Sequence, residues 1–223
     1  TIITSEDSYK DQTYFLFTLQ KSVLKHLMFP IGHLKKPQVR ILAEEFGLIN
    51  ARKKDSTGIC FVGKGDYAEF VSRHADPASL KPGLIRRHPE GEILGRHNGI
   101  HHFTYGQRRG LGMDYHETLF VLSTDPKTNT VWVGDEKFLY SKELSLKDCN
   151  WLDSLPLDED VTVKIRYAHR GSKARIIEGS QVEGQGLGEK IKIMFHEPQR
   201  AVTPGQAAVF YRDRQLMGGG WIE

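Results

Sequence analysis

Val161-Thr162-Val163-Lys164-Ile165-Arg166-Tyr167 alternates apolar and polar residues with period two, the pattern of a strand with one face in a core. Lys190-Ile191-Lys192-Ile193 repeats it, and Lys173 to Glu178, Ala207 to Tyr211 and Leu216 to Ile222 are further short β-rich runs. Five or six strands in so short a stretch, with no helical periodicity between them, predict a small antiparallel barrel or sandwich. The Gly-rich, polar run Gly179 to Gly188 reads as a long hairpin loop within it.

Working back along the chain, Pro82-Gly83, Pro89-Glu90-Gly91, Asn98-Gly99, Asp125-Pro126 and Asn129 punctuate short runs at Glu92 to Gly95, His101 to Tyr105, Thr118 to Leu122 and Thr130 to Val133. Turns at this spacing predict short antiparallel strands. Before them, Gly65 to Val71 reads as a short helix, with Asp66 as its cap and Glu69 reaching back to it. The first fifty residues read as helical. One mostly buried helix is predicted from Asp11 through Leu27, ended by Phe29-Pro30-Ile31-Gly32. A second has Pro37 in its first turn, an apolar stripe of Val39, Leu42, Ala43 and Phe46, and a stop at Gly47. Two such helices have no core of their own, so the segment reads as the tail of a larger domain.

The 223 residues are 26% charged and 39% hydrophobic, which is globular composition and excludes a disordered chain. No apolar run is long enough for a membrane-spanning helix, and Thr1 to Lys10 has no apolar signal core. Two cysteines, Cys60 and Cys149, are too few for a disulfide framework and fit a reducing compartment. A net charge of +3 says little about partners. Its clustering at Arg52-Lys53-Lys54, Arg86-Arg87, Arg108-Arg109 and Arg166 to Arg175 says more. Each cluster is either solvated surface or a phosphate contact.

Gly58 to Lys64 resembles a nucleotide-binding P-loop, but Gly65 stands where the Mg²⁺-binding hydroxyl belongs, so that reading fails. His97, His101 and His102 lack a completing ligand set, and in a strand the last two would point to opposite faces. Cys60 lies in a polar, turn-forming run, Asp55-Ser56-Thr57-Gly58-Ile59-Cys60, just after Arg52, Lys53 and Lys54. Nearby positive charge favours a thiolate, although a small buried cysteine is the commoner meaning of such a residue. Cys149 has no comparable neighbours and reads as structural.

Six blocks occur in one order: Ser8 to Leu16 (SYKDQTYFL), Phe29 to Gly32 (FPIG), Lys36 to Arg40 (KPQVR), Lys53 to Gly63 (KKDSTGICFVG), Gly106 to Gly112 (GQRRGLG) and Val202 to Tyr211 (VTPGQAAVFY). Together they resemble the tRNA-specific 2-thiouridylase family, MnmA or TrmU, over nearly the whole chain. The resemblance implies an α+β, mostly β chain. Residues 1–60 would be the helical remnant of an α/β PP-loop domain with the catalytic loop, 61–140 a small mixed central domain, and 141–223 a C-terminal antiparallel β-barrel.

It further implies ATP-dependent transfer of sulfur to C2 of the wobble uridine of tRNA, with ATP and Mg²⁺ bound in the PP-loop domain. Cys60 occupies the position that carries the sulfur as a persulfide received from a sulfur-relay protein. Lys10, Asp11 and Gln12 fall at positions that contact tRNA, as do Arg166, Tyr167 and Gln206. As bare residues, Tyr167 could equally be barrel packing and Gln206 a turn residue. The family's Ser-Gly-Gly-x-Asp-Ser loop does not occur in these residues. The chain is therefore expected to begin inside the PP-loop domain and to be inactive alone, its partners being tRNA and the sulfur donor, as a cytoplasmic monomer. Either it is this part of a sulfurtransferase, or it is a non-catalytic RNA-binding module.

Overall fold

The computed structural model describes residues 1–55, 67–75, 77–113, 115–154, 159–179 and 190–223. Asp66, Cys60 and most of the Gly179–Gly188 run lie outside them. The chain forms two compact units, Thr1–Lys54 with Lys142–Glu223, and Asp55–Ser141.

The predicted helix from Asp11 to Leu27 is instead two 3-10 turns, Thr13–Thr18 and Lys21–His26, separated by extended residues Leu19 and Gln20. Tertiary hydrogen bonds explain the difference. The Asn150 side-chain amide donates to the carbonyls of Phe17 (2.5 Å) and Leu19 (2.8 Å), acceptors that a continuous helix would need for its own ladder. Tyr14 and Phe17, three apart, share the buried face of the first turn. Helix α1 (Lys36–Glu45) forms as predicted, with Pro37 in its first turn and Gly47 just past its end. Asp7 Oδ2 accepts the Lys36 amide at 2.8 Å, and Gln38 Oε1 accepts that of Lys35 at 2.8 Å. Its apolar stripe is not buried within this unit: Phe46 is 78% exposed.

In the second unit, helix α2 (Tyr67–His74) precedes strands β1 (Gly83–Arg87), β2 (Ile93–His97), β3 (Phe120–Asp125) and β4 (Thr130–Gly134). The sheet order is β2-β1-β4-β3, packed on Ile85, Leu119, Val121, Val131 and Val133. It is mixed, because β1 pairs parallel with β4 while the other two pairings are antiparallel. The predicted strand at His101 to Tyr105 is absent. Ile100–His102 is a 3-10 turn started by the Gly99 amide on His97 Nδ1. The chain then meets β3 at Gly106 and Gln107, through their bonds with Val121. The rings of His101 and His102 therefore do not point apart; their centroids are 4.0 Å apart.

The barrel comprises β5 (Tyr140–Trp151), β6 (Val161–Lys164), β7 (Ser172–Glu178), β8 (Ile191–Arg200), β9 (Ala207–Arg212) and β10 (Gln215–Ile222), closed in the order β10-β5-β8-β7-β6-β9. Inward residues alternate as expected: Val161, Val163 and Ile165; Ile191, Ile193 and Phe195; Ala208 and Phe210. Strand β9 is buried on both faces. Its outward residues Ala207, Val209 and Tyr211 pack with Ile2, Tyr14, Phe17, Leu152 and Leu216 in a second cluster. This is why Ala207 to Tyr211 is a continuous apolar run, and it fixes the N-terminal segment against the outside of the barrel.

Candidate nucleic-acid interface

The first 3-10 turn and the loop after β6 meet on this outer wall. Gln12 Nε2 donates to the Tyr167 hydroxyl at 2.9 Å, although 155 residues separate the two. Phe15 stacks on the Tyr167 ring with centroids 5.1 Å apart and planes 25° apart, and Tyr14 meets Tyr167 edge-on at 6.3 Å. Tyr14 is itself fixed, because its hydroxyl donates to the Ala207 carbonyl at 2.9 Å. Burial pushes its pKa up, against the lowering effect of that hydrogen bond.

Asp11 is turned inward and only 5% exposed. Its carboxylate accepts the amides of Ser5 and Thr13 and, at 2.8 Å, the Thr13 hydroxyl, which in turn meets the Tyr211 hydroxyl at 3.2 Å. Lys164 Nζ sits 3.8 Å from Asp11 Oδ2 and 5.2 Å from the centre of the Tyr211 ring. Burial pushes the Tyr211 hydroxyl well above its ordinary pKa, so it stays protonated and neutral. The inward carboxylate thus shapes the turn that sends Lys10 and Gln12 outward, both exposed.

Arg166 Nη1 donates to the Arg200 carbonyl at 3.1 Å, holding the loop that presents Tyr167. Gln206 is exposed in the turn between β8 and β9, where its amide bonds the Thr203 carbonyl and its carbonyl accepts the Ile222 amide. It directly precedes Ala207, the residue that anchors Tyr14. Lys10, Asp11, Gln12, Arg166 and Tyr167 therefore belong to one neighbourhood of the barrel wall, with Gln206 one residue from an anchor of its aromatic cluster. Phe15, Tyr14 and Lys164 join it without having been singled out in sequence. Their signal was the three-residue spacing of Tyr14 and Phe17 and the outward position of Lys164 in its strand.

Several other basic clusters are tied into the protein. Arg87 bonds Glu117 at 2.8 Å and the Tyr115 hydroxyl at 2.6 Å, Arg86 bonds the Gly91 carbonyl, and Arg52 pairs with Glu44. Cys60 lies outside the described residues. Cys149 is a free thiol, 1% exposed, and burial with the Asp148 charge raises its pKa to about 12, so it is inert as a nucleophile.

His169 lies three residues after Arg166 in the same loop, its Nδ1 accepting the Ile165 amide at 3.4 Å. Burial, reinforced by the Arg166 charge, lowers its pKa, and burial does the same for His97, whose Nδ1 accepts the Gly99 amide. Protonation would put a proton on an acceptor nitrogen in each case. With the folded pKa below the unfolded one, the unfolded chain binds more protons, so stability is present above about pH 6.5 and lost as pH falls through that window. Melting temperature should drop between about pH 7 and pH 5.5, and His169→Gln should flatten the drop. An unchanged pH profile in that variant would remove His169 from the account.

Residues 1–64 match the family described as the tRNA methyl transferase HUP domain. Residues 68–135 match the tRNA methyl transferase PRC-barrel domain, and 141–222 the aminomethyltransferase beta-barrel domain. The three domain matches follow one another along the chain. It is 43% identical over 224 residues to the tRNA-specific 2-thiouridylase MnmA of Acidithiobacillus ferrooxidans, covering 100% of this chain and 61% of that protein. It is 42% identical to the MnmA of Acetivibrio thermocellus, covering 96% of this chain and 58% of that one. It is 41% identical to MnmA 2 of Syntrophus aciditrophicus, covering 97% and 67%. The chain belongs to the tRNA-specific 2-thiouridylase (MnmA) family, and spans about three fifths of the first of these relatives.

Proposed function

We propose that this chain supplies the sulfur-carrying cysteine and the tRNA-binding surfaces of a tRNA uridine 2-sulfurtransferase. The observation that carries the reading is the Gln12–Tyr167 bond, which joins two sequence-distant blocks into one exposed, basic, aromatic surface. A guanidinium fork beside stacked rings suits RNA, whose phosphates and unpaired bases both need partners. Lys10, Gln12, Arg166, Tyr167 and Gln206 would touch the tRNA. Asp11, being buried, would act by shaping the turn that presents its neighbours.

Cys60 would accept sulfur from a relay protein and hold it as a persulfide, within a catalytic segment 1–60 followed by domains 61–140 and 141–223. The protein would work as a cytoplasmic monomer. No helix among the described residues is long and apolar enough to cross a membrane. The described residues do not fit ATP: no Ser-Gly-Gly-x-Asp-Ser run is among them, and the first-turn amide of α1 is already taken by the Asp7 carboxylate.

Titration with unmodified tRNA over a salt series tests the tRNA-binding claim. Binding should weaken steeply with salt, and Arg166→Gln should lower affinity roughly fivefold and reduce the log–log slope by about 0.7–0.9, one phosphate contact. A slope unchanged in the variant would remove Arg166 from the interface. Salt-insensitive or absent binding by the parent chain would sink the proposal.

A further inference from the structure

We propose that Phe15 is a base-stacking residue that takes an unpaired nucleobase of the bound RNA on its exposed ring face. The inference rests on the tRNA-binding reading above and gives a role to Phe15, a residue of the first block to which the resemblance assigns none. Phe15 is 53% exposed and Tyr167, the ring it stacks on, is 40% exposed, so the pair forms a single apolar surface facing water. Phe15 fills no core: the buried cluster beneath is built from Tyr14 and Phe17 on either side of it.

The surface is also held still. Gln12 bonds the Tyr167 hydroxyl, Tyr14 meets the Phe15 ring edge-on at 5.3 Å, and the Ala207 carbonyl fixes Tyr14. A ring clamped in this way gives contact area without losing rotamer freedom on binding.

Charge selects the occupant. Within residues 8–15 and 164–170 the cations are Lys10, Lys164, Arg166 and Arg170. The sole carboxylate in those stretches is Asp11, which is buried. An exposed aromatic pair with Arg166 in its loop and Lys10 exposed in the adjoining turn fits a ligand that is both planar and anionic along its backbone, as single-stranded RNA is. Base–aromatic stacking tolerates any sequence because every base offers a π face.

The test compares the wild-type chain with Phe15→Leu and Phe15→Trp on two RNAs, a hairpin with unpaired loop bases and a fully paired duplex of equal length, over a salt series. Phe15→Leu should bind the hairpin roughly tenfold more weakly with an unchanged salt slope, and bind the duplex as the wild type does. Phe15→Trp should bind the hairpin at least as tightly as the wild type. Hairpin affinity within about twofold of wild type in Phe15→Leu overturns stacking while leaving the tRNA-binding reading intact. So does an equal loss on both RNAs, or weakening by Phe15→Trp, since either reports lost packing. If the wild-type chain shows no salt-dependent binding to either RNA, the underlying reading and this inference fall together.

Discussion

Gly218→Ala is expected to cost roughly 3–5 kcal/mol of folding stability, a large share of what a domain of this kind possesses. Gly218 has φ +147°, a conformation that side-chain-bearing residues avoid, at a point where β10 shifts register against β9. An added Cβ would collide with the Asn150 carbonyl oxygen and come within 2.7 Å of the Trp151 ring. Both belong to β5, the strand that β10 pairs with to close the barrel. The next residue is constrained from the other face, since a Cβ on Gly219 would lie 2.8 Å from the Phe17 ring. The glycine run therefore lets β5 and the N-terminal segment both approach β10 closely.

Gly205→Ala is the internal comparison. Gly205 also has positive φ, +82°, but nothing lies within 4 Å of an added Cβ, so only backbone strain of about 1 kcal/mol is expected. Urea unfolding should show a far lower midpoint for Gly218→Ala than for Gly205→Ala at similar slope. Equal midpoints would mean that the closure of the barrel does not depend on this contact.

The barrel was legible in the sequence because its strands alternate or run apolar without interruption, from Val161 through Ile222. Strand β5 was not, because Lys142, Glu143, Lys147 and Asp148 break its apolar pattern while Leu144, Leu146 and Cys149 fill the barrel core. Strand β1 was hidden by Pro82-Gly83, a turn signal, and by Arg86-Arg87, a charge signal; its parallel pairing with β4 has no local signature at all. The first helix failed for a tertiary reason, since an asparagine more than a hundred residues away captures its carbonyls. The candidate site divides in the same way. Motif resemblance identified Gln12 and Tyr167, but their direct bond, the stacking of Phe15 and the inward turn of Asp11 arise only when the N-terminal segment packs on the barrel.

Sulfur loading should separate the two cysteines completely. Given a low-molecular-weight persulfide, the Cys60 thiolate would attack the outer sulfur. A new S–S bond forms at Cys60 Sγ, the donor's S–S bond breaks, and the donor leaves as its thiolate, so no outside oxidant or reductant is needed. Lys53 and Lys54, both exposed and close upstream in sequence, would favour the Cys60 anion, whereas the Arg52 charge is paired with Glu44. Cys149 cannot compete. Burial and the Asp148 charge push its pKa up to about 12, so it stays a thiol, and at 1% exposure a donor cannot reach it.

The direct measurement is to load the folded chain with a persulfide donor, trap thiols with an alkylating reagent, and read each cysteine peptide by mass. The peptide containing Cys60 should carry one extra sulfur atom, the Cys149 peptide none, and Cys60→Ser should show no added sulfur anywhere. Sulfur on the Cys149 peptide, or none on the Cys60 peptide under conditions that load a free thiol, would contradict the sulfur-carrying role assigned to Cys60.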